Sequence, residues 1–224
     1  MKKLIVGPLV ALLVQLPVLA QQTKGLPDVS STFRGILALP VPLSNPLYGD
    51  VAETIGRLGA TIQFPLVAKK SRAFGLGAGF DVTWAGINER ALAPEVTSGD
   101  IRRTALYGRV LYEAYTTKRN FYELSLKVGT GTYAYACSTC GDSQESGLLW
   151  GLGFGYFIHA SDNLAFGLTM GYERVGVRLD ASDMGLETFP GRSELSEATD
   201  YQDLVFGLIF STRLRKAPDA GRGW

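Results

Sequence analysis

The clearest pattern in the chain is an alternation of large apolar residues with glycine and other small residues over residues 146–179. The large members are Leu148, Trp150, Leu152, Phe154, Tyr156, Ile158, Leu164, Phe166, Leu168, Met170 and Tyr172. A period of two is typical of β-strands, and the polar break Ser161-Asp162-Asn163 predicts a tight turn between two of them. A soluble sandwich buries its large face against a second sheet, whereas a transmembrane barrel turns that face toward lipid.

The same alternation, with turn signals between its segments, predicts eight strands. Their expected ranges are 32–41, 52–66, 73–90, 101–116, 121–136, 146–160, 164–179 and 201–214. The short connectors are 67–72, 117–120 and 161–163, and the long ones are 42–51, 91–100, 137–145 and 180–200. Short turns at one end and long loops at the other are typical of outer-membrane barrels. We therefore predict an all-β fold, a transmembrane up-and-down antiparallel β-barrel of eight strands, with both termini in the periplasm.

The N-terminal residues predict the cellular location of the protein. Residues 1–20 combine a pair of lysines, an apolar run and a small-residue end at Ala20, as a secretory signal peptide does. We expect a flexible leader over 21–31, the barrel over 32–214 and a periplasmic tail over 215–224. Past the signal no apolar run approaches the length of a transmembrane helix. The net charge of +1 argues against nucleic acid as a partner.

Aromatic residues gather near the ends of the predicted strands. Trp84, Trp150, Tyr172 and Tyr201 lie by the long connectors, and Phe64, Phe74, Tyr115, Tyr122 and Phe166 by the short ones. Two such rows are what the interfaces of a bilayer attract. Over roughly residues 31–214 the chain thus resembles the small eight-stranded outer-membrane barrels of the OmpA/OmpX type. Its last strand, with GLIF at 207–210, is similar to the strand that such barrels present to the outer-membrane assembly machinery. The resemblance therefore implies that machinery and outer-membrane lipid as partners.

The small face of the strands carries charges of both signs, which we expect to lie inside the barrel. They are Arg34, Arg57, Arg109, Lys127 and Arg213, with Asp81, Glu113, Glu123, Glu173 and Asp203. Unpaired charges in a confined lumen are unfavourable, and eight strands enclose a space only just wide enough for side chains. The balanced set favours a salt-bridged plug. A charge-lined pore stays open as the alternative, because inward glycines would leave room beside Tyr107, Tyr133, Tyr135 and Phe157.

Cys137 and Cys140 are the only cysteines of the chain. A pair with this spacing can form a disulfide, half of a zinc site or a redox centre. Zinc needs two further ligands, and the single histidine is predicted at the opposite end of the barrel. A redox centre usually has a helix N-terminus behind it. We therefore expect a disulfide that holds the tip of a loop in an oxidising compartment, and neither a metal nor a cofactor.

His159, Ser161 and Glu173 give the one hint of catalysis in the sequence. A His-x-Ser with a later glutamate resembles the triad of the outer-membrane lipid A deacylases, in which serine is the nucleophile, histidine the base and glutamate the orienting group. In a hairpin that turns at Asp162, the glutamate falls about eight residues farther along the strand, more than roughly 20 Å from the histidine. The predicted geometry therefore disfavours a lipid A-modifying hydrolase.

The longest predicted loop, 180–200, is acidic and holds Leu186, Phe189 and Pro190 among its charges. A loop of about twenty residues is uncommon unless it has a function or is disordered. Exposed apolar residues can anchor an extracellular partner while acidic residues steer it. Our leading hypothesis is a non-enzymatic barrel in the outer membrane of a Gram-negative-type bacterium, with a structural or surface-interaction role through its loops. The alternatives are a narrow channel or binder of a small lipid-like ligand, and the hydrolase.

Overall fold

The chain closes into a single eight-stranded barrel. The computed structural model describes residues 30–44, 52–69, 71–87, 99–137, 141–178 and 200–214. The strands are β1 (Thr32–Ser44), β2 (Ala52–Lys69), β3 (Arg72–Ile87), β4 (Gly99–Tyr115), β5 (Asn120–Cys137), β6 (Gly141–His159), β7 (Leu164–Val175) and β8 (Tyr201–Arg213). Each strand pairs antiparallel with the next one, and β8 pairs back onto β1. The predicted up-and-down antiparallel barrel of eight strands is confirmed.

The outer surface of the barrel is a band of large apolar side chains. Leu58 is 53% exposed and Leu168 is 63% exposed. On β3 the outward apolar residues run from Phe74 to Trp84, about eleven residues, which is close to the length that a tilted strand needs to cross a bilayer. Water would leave so large an apolar band unfavourably hydrated, whereas lipid covers it. The band is therefore the lipid-facing surface of a transmembrane barrel.

No helix in the described part of the chain is long and apolar enough to cross a membrane.

Two of the aromatic residues expected at the membrane interfaces lie inside the barrel instead. Tyr115 and Tyr201 are buried, because they occupy odd-numbered positions on β4 and β8 and share the inward face with Glu113 and Asp203. The other residues of the two predicted rows lie on the outward positions. The distance of an aromatic residue from the strand end therefore predicts its height along the barrel. Whether it faces lipid or the lumen depends on whether its position in the strand is odd or even.

The hairpin between β5 and β6 is longer than the sequence predicts. A long connector over 137–145 is wrong, since Cys137 pairs with Gly141 and only residues 138–140 separate the two strands. The part that was wrongly predicted as a loop is the start of β6, GDSQE at 141–145, which has only small or polar residues. The two strands thus continue past the apolar band. Their lack of large apolar residues there resembles a loop in sequence, although the backbone pairing continues.

Candidate functional site: the charged lumen

The lumen is filled by charged side chains between two groups of aromatic rings. We call the end where β1 begins and β8 ends the terminal end, and the opposite end the loop end. The loop-side cluster consists of Arg57, Asp81, Arg103, Lys127, Glu173 and Asp203. The terminal-side cluster consists of Arg34, Arg109, Glu113 and Glu123. Each cluster contains as many basic as acidic residues, so each is neutral as a whole.

Arg103 lies at the centre of the loop-side cluster. Its Nη2 atom is 2.6 Å from Asp81 Oδ1 and 3.1 Å from Glu173 Oε2. Arg57 Nη1 donates a 2.8 Å hydrogen bond to the same Glu173 oxygen, and Lys127 binds the other one. Glu173 therefore accepts from three cations, which offsets the loss of hydration that its burial causes.

The backbone determines which arginines reach this cluster. A β-bulge between Thr54 and Gly56 shifts the register of β2, and Gly56 has a φ of 156°, a region that favours glycine. From Arg57 to Gln63 the odd-numbered residues of β2 face inward, whereas before the bulge the even-numbered ones do. Arg103 was missed in the sequence analysis, although it has the same parity on β4 as the inward Arg109. The adjacent Arg102 points outward and is exposed.

The terminal-side cluster is organised around Arg34. Its Nη2 atom donates a 2.8 Å hydrogen bond to Glu113 Oε1, and its Nη1 atom binds Glu123. Arg109 Nη2 lies 2.7 Å from the second oxygen of Glu123. The Tyr115 hydroxyl donates to the second oxygen of Glu113 at 3.0 Å. Both carboxylates therefore have partners on both oxygens, as buried carboxylates require.

Aromatic rings pack inside the barrel beyond both clusters. At the loop end, Tyr133 stacks on Tyr201 with ring centroids 4.1 Å apart, and the Tyr135 and Tyr201 hydroxyls are 3.1 Å apart. At the terminal end, Phe121 stacks on Phe157 at 4.7 Å. The Arg34 guanidinium lies 4.6 Å from the Phe157 centroid, in the geometry of a cation–π contact.

The inward glycines make room for these rings rather than for a continuous channel. A Cβ atom on Gly155 would lie 2.7 Å from the Phe157 ring, and one on Gly167 would lie 2.5 Å from it. A Cβ atom on Gly79 would likewise lie 2.9 Å from the Tyr107 ring. Between the two clusters a cavity of about 80 Å³ remains beside Lys127. This volume suffices for a few water molecules.

Arg213 is the one predicted lumen charge that the structure leaves outside the clusters. It faces inward at the terminal end and lines a separate small cavity of about 30 Å³. Among the described residues no ion pair includes it. The structure brings the other predicted lumen charges together, with Arg103 added to them.

The structure keeps the candidate triad apart. His159 pairs with Ala165 and Glu173 pairs with Gly151, so the histidine and the glutamate are eight positions apart, roughly 25 Å. Glu173 belongs to the loop-side cluster, and the exposed Ser161 hydroxyl accepts hydrogen bonds from backbone amides of its own turn. This geometry cannot relay a proton from serine through histidine.

The other candidate sites lie where the structure gives no side-chain detail. Cys140 and the predicted anchors Leu186, Phe189 and Pro190 fall outside the described residues. For Cys137 only the backbone is described, so the Cys137–Cys140 disulfide stays a prediction. The predicted signal peptide and tail also lie outside the described ranges. Within those ranges, no group of three or more histidine, cysteine or acidic side chains is arranged to hold a metal ion.

Comparison with known proteins gives matches only among solved structures. No family model matches the chain, and no curated protein does. Neisserial surface protein A is 10% identical with a TM-score of 0.47, covering 82% of this chain and 97% of its own. Ail, the attachment invasion locus protein of Yersinia pestis, is 12% identical with a TM-score of 0.45, covering 83% and 99%. The outer membrane protein OprG from Pseudomonas aeruginosa is 10% identical with a TM-score of 0.46, covering 87% and 100%. The closed barrel of eight strands itself confirms the resemblance to small eight-stranded outer-membrane barrels in architecture.

Proposed function

We propose that this chain is an outer-membrane barrel that acts through the loops of its loop end, as a structural or surface-interaction protein. The observation that carries the proposal is the filled lumen, where two neutral clusters of buried, paired charges lie between aromatic layers. A lumen filled in this way offers no large site for a ligand. The loops then remain as the surface through which the protein meets other molecules, with no enzymatic step required.

The proposal places the barrel in the outer membrane of a Gram-negative-type bacterium, with both termini in the periplasm. The lipid-facing band and the predicted signal peptide support this location. Outer-membrane lipid and the assembly machinery would then be its first partners, the latter through the apolar outward face of β8, where Phe210 is exposed. The protein should fractionate with the outer membrane and migrate faster on gels when unheated. Recovery as a freely soluble periplasmic protein would contradict the location.

The role of the loops can be tested by shortening one of them. Replacing residues 183–198 with a tight turn removes the predicted anchors Leu186, Phe189 and Pro190 and leaves every described strand intact. Cells expressing the protein are compared for adhesion to surfaces coated with a panel of matrix proteins and polysaccharides. We expect the shortened variant to fold and to lose any adhesion that the wild type gives.

The matched control changes the lumen instead of the loop. Arg109 and Glu123 form a 2.7 Å pair, so replacing both with methionine and glutamine removes the pair and leaves no lone charge from it. This variant should adhere as the wild type does. If adhesion survives the loop change and is lost with the lumen pair, the lumen is the working site and the proposal fails.

A narrow channel is the second candidate, and the cavity beside Lys127 is the observation that favours it. The cavity lies between the two ion clusters, so a rearrangement of either cluster would be needed to connect it to both ends. A channel of this kind would conduct in planar bilayers and would respond to neutralisation of the lumen charges. Loop shortening would leave that conductance unchanged.

A further inference from the structure

A second, smaller cavity opens at the terminal end of the lumen. It has a volume of about 30 Å³ and is lined by Gln63, Glu113, His159, Ser211 and Arg213 among others. A single water-sized occupant needs roughly 10–15 Å³, so the cavity accommodates one small ion or molecule. It adjoins the terminal-side cluster, whose Arg34 and Glu113 also line it, whereas Arg213 belongs to neither cluster.

The cavity wall contains buried polar atoms that have no hydrogen-bond partner in the described structure. Gln63 is only 3% exposed, and within the described structure its Nε2 atom has no partner, while its Oε1 atom accepts from the Thr32 hydroxyl at 3.4 Å. The buried Nε2 atom of His159 is also without a partner there. A buried donor left unpaired is unfavourable by about 1–3 kcal/mol, so such groups usually face an ordered water or a bound ion.

The charge balance at this end favours an anion. In the adjoining cluster, Arg34 and Arg109 neutralise Glu113 and Glu123. Glu113 is the acid that lines the cavity, and its two oxygens already accept from Arg34 and Tyr115. Arg213 therefore adds a positive charge that no described acid balances. An anion in the cavity would meet a guanidinium and an amide donor, with no free carboxylate facing it.

We propose that this cavity binds one small monovalent anion, a halide or the carboxylate of a small acid, between the guanidinium of Arg213 and the side-chain amide of Gln63. In the tautomer with its proton on Nε2, the neutral imidazole of His159 supplies a third donor. The anion completes the hydrogen bonding of the terminal end and neutralises the lumen. The site is independent of any role of the loops.

The test uses the refolded protein in lipid nanodiscs with chloride and formate as the probes. Gluconate, too large for the cavity, replaces them at constant ionic strength. We expect the ³⁵Cl resonance of chloride to broaden in the presence of the protein, and formate to reverse this broadening by competition. The midpoint of thermal unfolding should be higher in chloride than in gluconate. Arg213→Gln should weaken the apparent affinity by about tenfold or more, since it removes a charged hydrogen bond.

Arg72→Gln is the matched control, because Arg72 is an exposed arginine near the same end of the barrel. It should retain the full chloride response. Gln63→Glu adds a carboxylate to the wall that Arg213 also lines, so it should abolish the chloride response while the barrel still folds. This variant tests the anion site if Arg213→Gln fails to refold. The proposal would be overturned if the wild type unfolded at the same temperature in chloride and in gluconate. It would also be overturned if Arg72→Gln and Arg213→Gln lost the chloride response equally.

Discussion

Two adjacent arginines on β4 show how strongly position within a strand determines a residue's contribution. Arg103 is 2% exposed and forms ion pairs with Asp81, Glu173 and Asp203, whereas Arg102 points outward and is exposed. Removing one member of a buried cluster leaves the opposite charges uncompensated. Substituting each of them in turn therefore tests how much the lumen cluster stabilises the barrel. Residue type and height along the barrel are the same in both variants.

We predict that Arg103→Met lowers the free energy of unfolding by about 3–5 kcal/mol, because it leaves buried carboxylates short of a cation. Arg102→Met should change it by less than about 0.5 kcal/mol, as most exposed substitutions do. Urea unfolding of the refolded variants in lipid vesicles measures both values. Equal effects of the two substitutions would show that the lumen cluster does not stabilise the barrel.

A second prediction concerns the glycines under the Phe157 ring. Gly167→Ala would place a methyl group 2.5 Å from the ring, which must then move away from its stack with Phe121. We expect a loss of about 1–3 kcal/mol in unfolding free energy. Gly35→Ala is the control, because a Cβ atom there meets nothing within 4 Å, and it should leave stability almost unchanged. A stable Gly167→Ala protein would contradict the packing of this layer.

The sequence indicates part of this site and leaves part of it hidden. Alternation alone assigns Arg34, Asp81 and Glu173 to the inward face, because each stands on a regular stretch of strand. Parity on β4 would also have indicated Arg103. Arg57 is assigned in the same way, because it alternates with the outward Leu58 and Ile62 on the regular part of β2. Which charges pair across the barrel depends on the register of strands distant in sequence, and one sequence contains no direct signal for that register.

At the scale of single elements, β5 joins two environments. Its outward residues are apolar from Tyr122 to Val128 and become small or polar from Thr130 onward. The first part lies in the lipid-facing band and the second part extends beyond it, paired with β6 up to Cys137. A stretch without large apolar residues, such as GDSQE at 141–145, shows no alternation from which a strand could be predicted. The predicted strand 121–136 already includes this extension, whereas the start of β6 at 141–145 was predicted as a loop.

The third prediction uses this difference along β5. Leu126 pairs with Leu152 near the middle of the band, so Leu126→Arg should destabilise the protein by about 2–4 kcal/mol. Ala136→Arg changes an outward, exposed residue of the same strand beyond the band and should cost about 0–1 kcal/mol. Unfolding in lipid vesicles gives the comparison. If Leu126→Arg refolds and unfolds like the wild type, the outward face of β5 does not contact lipid.

At the scale of the whole molecule, closure of the sheet produces both surfaces at once. Pairing of β8 with β1 leaves no edge, sends one set of alternate residues to lipid and the other set into a narrow lumen. The sequence predicts the barrel and its two faces, since eight alternating segments with two distinct faces fit few other folds. Whether the lumen is open depends on how charges and rings fill it. In the described residues the charges form two neutral clusters between aromatic layers, with Arg213 outside them.

The fourth prediction, single-channel recording in planar bilayers, tests the closed lumen most directly. The wild-type protein should show no steady open state above the baseline of protein-free bilayers. Arg103→Met combined with Glu173→Gln removes charges from the loop-side cluster and should raise the frequency of brief openings, while Arg102→Met should not. A stable conductance of the wild type, with an ion selectivity that changes when Lys127 or Glu173 is neutralised, would contradict the closed lumen and establish the protein as a channel.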